Sequence, residues 1–143
     1  MSISHELLLN TQNSIEYYVQ NIEAIFKNKL NIGINTNRQS DCISLFCEYL
    51  TIYIHLDEYI GLDIIEEDYN FKANMSIRFY LIVKTWPKGM DTLFSLIKHL
   101  MFNNNDNLLL IENGETRILS RVDGIFYADA YFEQTYPFEI FEI

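Results

Sequence analysis

"NMSIRFYLIVK", residues 74–84, is the stretch on which the fold turns. Met75, Ile77, Phe79, Leu81 and Val83 alternate with Ser76, Arg78, Tyr80, Ile82 and Lys84. A period of two puts one side of a strand into a core and leaves the other, here mixed, side in water. Toward the C-terminus, Pro87 suits the first turn of a helix, and Met90, Leu93, Phe94, Ile97, Leu100 and Met101 form one apolar stripe. The asparagine run at 103–105 stops that helix. "NLLLIENGETRILSRV", residues 107–122, predicts a hairpin around Asn113-Gly114, a pair that tolerates the positive φ of a type I′ turn. A second turn at Asp123-Gly124 leads into "IFYAD", giving a three-stranded meander.

Toward the N-terminus the pattern repeats. Residues 3–9 read as a strand ending at Asn10. Ile15, Tyr18, Val19, Ile22, Ile25 and Phe26 then form one helical face. Asn13 and Glu16 have capping-box spacing, which predicts a helix from there to Lys27–Asn28, with "NIGINTNRQS" as strand end and loop. "CISLFCEYLTIYIHLD", residues 42–57, is rich in β-branched and aromatic residues. From Thr51 onward Ile52, Ile54 and Leu56 oppose Thr51, Tyr53, His55 and Asp57, so a strand with a bulge or break before Thr51 is expected. Gly61 interrupts it, and Asp63 and Glu66 can cap a short helical turn through Tyr69.

Two one-sided helices and several one-sided strands predict an α+β, two-layer sandwich: a mainly antiparallel sheet with two helices packed on one face. No βαβ repeat with Gly-rich turns is present, which argues against a doubly wound nucleotide fold. At 143 residues, 1–143 is expected to form a single domain with one core, without disulfides or metals. Cys42 and Cys47 lack the second pair that a zinc site wants and read as small thiols. No apolar run approaches the roughly 20 residues that cross a bilayer, and "MSISHELLLN" lacks a signal-peptide start, so a cytoplasmic protein is expected.

Twenty acidic residues against ten basic ones give a net charge of −10, the wrong sign for gripping nucleic acid or an anionic membrane. The imbalance is local. Between Arg38 and Lys72 there is no Lys or Arg, but there are eight acids; after Arg121 there are five more acids and again no basic residue. "DEYIGLDIIEEDY", residues 57–69, concentrates six carboxylates beside two tyrosines. As a calcium loop it fails, because Gly61 precedes Asp63 and Glu66-Glu67-Asp68 are consecutive, so neighbouring side chains diverge. A solvated loop and a surface for a basic partner both remain open. On the second, the contact residues are Asp57, Glu58, Tyr59, Asp63, Glu66, Glu67, Asp68 and Tyr69, the aromatics excluding water beside the charges. The tail "AYFEQTYPFEIFEI", residues 130–143, is either a last docked strand or a second acidic, aromatic contact surface. His5, His55 and His99 sit in unlike contexts, and no nucleophile motif surrounds any Ser or Cys.

From Glu66 to Asp129 the order of features resembles a known family. "EEDYNFKANMSIRFYLIVK" joins an acidic-aromatic turn to the alternating strand. A helix of the type "MDTLFSLIKHLM" follows, and then the hairpin with its Asn113-Gly114-Glu115 tip. This is similar to the Sit-type immunity proteins of bacterial polymorphic toxin systems. The resemblance covers about sixty residues, and residues 35–60 and the tail depart from it. It implies a small cytoplasmic protein that binds and neutralises a cognate toxin domain, with no catalytic residues. No metal or cofactor is expected from the residues, and the oligomeric state is open, with a monomer as the default. A basic, nuclease-type toxin is the expected partner, because such enzymes must grip phosphate. The competing expectation is a metal-binding regulator or small enzyme working through the 57–69 carboxylates.

Overall fold

The alternating stretch forms a strand near the middle of one eight-stranded antiparallel sheet. The computed structural model describes residues 3–55 and 62–129, apart from the side chains of Asp63 and Ile64. In chain order the strands are β1 (Ile3–Asn10), β2 (Asn35–Arg38), β3 (Cys42–Phe46), β4 (Leu50–His55), β5 (Met75–Leu81), β6 (Asn107–Glu112), β7 (Thr116–Val122) and β8 (Ile125–Ala128). Helix α1 (Ile15–Ile25) follows β1, α2 (Leu62–Tyr69) precedes β5, and α3 (Trp86–Asn103) follows β5. The fold is the expected α+β sandwich.

The sheet order is β2-β3-β4-β5-β1-β6-β7-β8, so β1 is inserted between β5 and β6. Antiparallel alternation makes β1 and β2 point one way, and β5 and β6 the other. The α1 and α3 connections therefore run oppositely across the sheet from oppositely directed strands. If both crossovers share one hand, that relation places both helices on the same face. Both do pack there, over Leu7, Leu9, Ile52, Ile54, Ile77, Phe79, Leu108 and Leu110, and Ile22 and Ile97 are fully buried in that layer. Helix α2 lies on the other face, where Leu62, Ile65 and Tyr69 meet Leu8, Phe71, Leu109 and Ile111. That is a third helix in addition to the two expected on the first face.

Several boundaries differ from expectation. The cap of α1 is Ser14, whose Oγ accepts from Tyr17 N at 3.0 Å, because Asn13 is engaged elsewhere: its Nδ2 donates to Asp106 Oδ2. A π turn, Phe26–Leu30, extends the helical chain past Lys27–Asn28 to Asn31, at φ 55°. The break before Thr51 is a hairpin turn between β3 and β4, and part of the expected loop at 31–40 is edge strand β2. Both glycine turns fall where expected: Asn113 and Gly114 have φ of 52° and 73°, and Asp123 and Gly124 have φ of 52° and 81°.

Asp106, between α3 and β6, fastens one end of the sandwich. Its carboxylate accepts from Thr11 Oγ1 at 2.6 Å and from the Tyr18 hydroxyl, and burial followed by this carboxylate pushes the Tyr18 phenol upward. Arg121, 4 % exposed, donates to the carbonyls of Met101 at 2.7 Å and Asp106 at 2.9 Å. This buried cation is bonded largely to backbone carbonyls, which meets the requirement that buried charge be hydrogen-bonded.

Candidate functional site

The eight residues read as a partner surface are distributed unevenly. Asp57, Glu58 and Tyr59 lie outside the described residues, as do the Asp63 side chain and the tail at 130–143. Glu66, Glu67, Asp68 and Tyr69 lie on α2, and their roles differ. The apolar positions Leu62, Ile65 and Tyr69 recur at helical spacing and turn that side onto the sheet. Glu66, Glu67 and Asp68 are left exposed. Among the described residues they have no ion pair; the two pairs present are Arg38–Glu16 at 2.9 Å and Arg78–Glu6 at 3.5 Å.

Tyr69 is an anchor. Its hydroxyl donates to the carbonyls of Gly114 and Glu115, each at 3.1 Å, so the end of α2 is fastened to the β6–β7 hairpin tip. Arg117 Nη2 donates to the Tyr69 carbonyl at 2.8 Å and its guanidinium lies 5.8 Å from the ring centroid. That places a cation at the carbonyl end of α2, where the helix dipole favours one. Asn70, at φ 53°, ends the helix with its N–H on the Glu66 carbonyl at 3.0 Å. Burial, and then the Asp68 carboxylate, push the Tyr69 phenol upward.

The tertiary structure adds residues that sequence spacing did not assign to this surface. Glu115, exposed on the hairpin tip, brings a further carboxylate beside the end of α2. Arg117 holds the helix end in place; its only signal in the sequence was its position two residues beyond the Asn-Gly-Glu tip. The acidic-aromatic turn and the hairpin tip, 45 residues apart in sequence, are thus joined in space.

Among the described residues no three His, Cys, Asp or Glu side chains converge to hold a metal. A cavity of about 380 Å³ opens beside the start of α2, lined by Thr11, Asn13, His55, Ser76 and Arg78 among others. Most of these polar groups are already committed, Thr11 and Asn13 to Asp106 and Ser76 and Arg78 to Glu6. No helix among the described residues is long and apolar enough to cross a membrane.

No family model, curated protein or solved structure matches this chain.

Proposed function

We propose that this protein is a cytoplasmic immunity protein, which binds a cognate toxin domain stoichiometrically and blocks it without catalysis. The observation that carries the reading is the arrangement of α2. The helix is held by its apolar side and by Tyr69, while Glu66, Glu67 and Asp68 stand in water without an ion pair among the described residues. A solvated loop needs no such anchoring, whereas a recognition surface gains from pre-organised charge. The absence of any Lys or Arg between Arg38 and Lys72 favours a basic partner. The order of acidic-aromatic turn, strand, helix and Asn-Gly-Glu hairpin favours a toxin domain as that partner, and a phosphate-gripping nuclease has the complementary sign.

The test begins with the neighbouring gene, which on this reading encodes a toxin domain. Glu66→Lys combined with Glu67→Lys should leave the fold intact, because both side chains are exposed. It should weaken binding at least tenfold and abolish protection of toxin-exposed cells. Binding of the unmutated protein should slow as salt rises, since rim charges act mainly on the association rate. A double variant that folds, binds with unchanged kinetics and still protects would remove α2 from the interface.

A further inference from the structure

Helix α2 covers only part of its face of the sheet. Its apolar contacts fall on β1 and β6, and no described helix lies over the outward side of β3, β4 and β5. The side chains there are those opposite the core in the alternation: Phe46 on β3, Thr51 and Tyr53 on β4, and Arg78 and Tyr80 on β5. Register brings the rings together. Thr51 is paired with both Phe46 and Tyr80, and Tyr53 reaches both rings diagonally. The centroids of Phe46 and Tyr53 are 6.4 Å apart and those of Tyr53 and Tyr80 are 5.6 Å apart, both edge-to-face. Phe46 and Tyr80 are 39 % and 38 % exposed and Tyr53 is half-buried between them, so this is a continuous, partly exposed aromatic stripe across three strands.

The charges around the stripe decide what fits it. Glu48, in the turn just beyond Phe46, is exposed, and α2 adds Glu66, Glu67 and Asp68 on the same side of the sheet. The one cation among the rings, Arg78, is engaged by Glu6 at 3.5 Å. Elsewhere the chain places cations over its own tyrosines: Arg117 lies 5.8 Å from the Tyr69 centroid and Lys88 lies 5.6 Å from that of Tyr49. Among the described residues no Lys or Arg stands over Phe46, Tyr53 or Tyr80, and neither tyrosine hydroxyl has a hydrogen-bond partner. A single-stranded nucleic acid would also stack on such rings, but it needs a basic surround and would meet carboxylates here.

We propose that the open β3–β5 face is a docking surface for an arginine-bearing basic protein segment, whose guanidinium groups stack on Phe46, Tyr53 and Tyr80 while the carboxylates of α2 and Glu48 supply the opposite charge. Arginine is specified over lysine because its planar, weakly hydrated guanidinium stacks on a ring face, whereas an ammonium remains solvated. The inference deepens the proposed function and rests on it for a basic partner. It adds that the contact extends beyond α2 onto residues without charge.

The test uses the full chain and two probes of equal charge, an octa-arginine and an octa-lysine peptide, followed by aromatic-ring NMR at near-physiological salt. The expected result is that octa-arginine shifts the Phe46, Tyr53 and Tyr80 resonances and binds about fivefold tighter than octa-lysine, the scale of one or two exposed cation–π contacts. Phe46→Ala with Tyr80→Ala should erase that preference. Phe46→Leu with Tyr80→Leu, which keeps apolar area and removes the ring quadrupoles, should do the same if the alanine pair fails to fold. Glu66→Lys with Glu67→Lys should weaken both peptides alike. Equal affinity for the two peptides, or an arginine preference that survives loss of the rings, overturns the proposal. So does a single-stranded oligothymidylate that moves the rings, or ring contacts in the free protein to residues 130–143 or to a second copy. An arginine preference that holds while the neighbouring toxin fails to bind counts against the toxin reading alone.

Discussion

His5 gives this protein an acid sensitivity that can be calculated. It is 2 % exposed on β1, lies edge-to-face with Phe94 at 6.2 Å, and neither ring nitrogen has a hydrogen-bond partner. Its cross-strand neighbour is Glu112, whose own carboxyl is pushed upward by burial and bonds neither nitrogen. Burial disfavours the imidazolium, and the pKa falls from 6.5 to about 4. The unfolded chain therefore binds a proton that the native state refuses between those values, and stability falls as pH drops through that window. With the pKa moving from 6.5 to about 4, linkage gives a loss of about 2 kcal/mol between pH 7 and 5, approaching roughly 3 kcal/mol below pH 4. Urea unfolding of the parent protein and of His5→Phe at pH 7, 6, 5.5 and 5 isolates this contribution. His99, also shifted downward by burial and by Lys98 and Lys29, is common to both proteins and cancels in the difference. The parent should lose about 2 kcal/mol more than the variant over that range. Equal pH slopes for the two proteins would refute the buried, neutral His5.

Truncating Ile22 or Ile97 to Ala should lower stability by about 2–5 kcal/mol in denaturant titrations, because both are fully buried between helices and sheet; a loss under about half a kcal/mol at both sites would contradict the packing. Gly89→Ala should destabilise by about 1 kcal/mol despite better helix propensity, because the new Cβ would lie 3.1 Å from the Tyr49 carbonyl oxygen and 3.2 Å from Leu81 Cγ. That carbonyl is held by Ile82 N at 3.1 Å and cannot easily give way, so a more stable variant would show that the β4–β5 end shifts freely. EDTA should leave the melting temperature unchanged, and a fall of several degrees would reveal a metal contribution.

What the sequence determined by itself was whatever depends on neighbours along the chain. The alternation of Met75–Leu81, the stripe through Ile22 and the stripe through Ile97 are local periodicities, and the two Gly turns are demanded by single backbone angles. These sufficed for the α+β sandwich and for a short acidic helical turn ending at Tyr69, which the structure extends back to Leu62. Cys47-Glu48-Tyr49 turns the chain without Gly, Pro or Asn, so β3 and β4 read as one interrupted strand until their pairing was visible. The Asn13 cap was a reasonable local choice that lost to a distant partner, Asp106. The insertion of β1 between β5 and β6 is likewise a choice among pairings of equal local merit. Tertiary packing alone decided that Tyr69 is an anchor on the 114–115 carbonyls while Glu66, Glu67 and Asp68 face water. It also gathered Phe46, Tyr53 and Tyr80, from three strands, onto one open face. Hydrogen bonds and ring contacts between residues tens of positions apart leave no period in the sequence, because their free energy depends on which strands become neighbours.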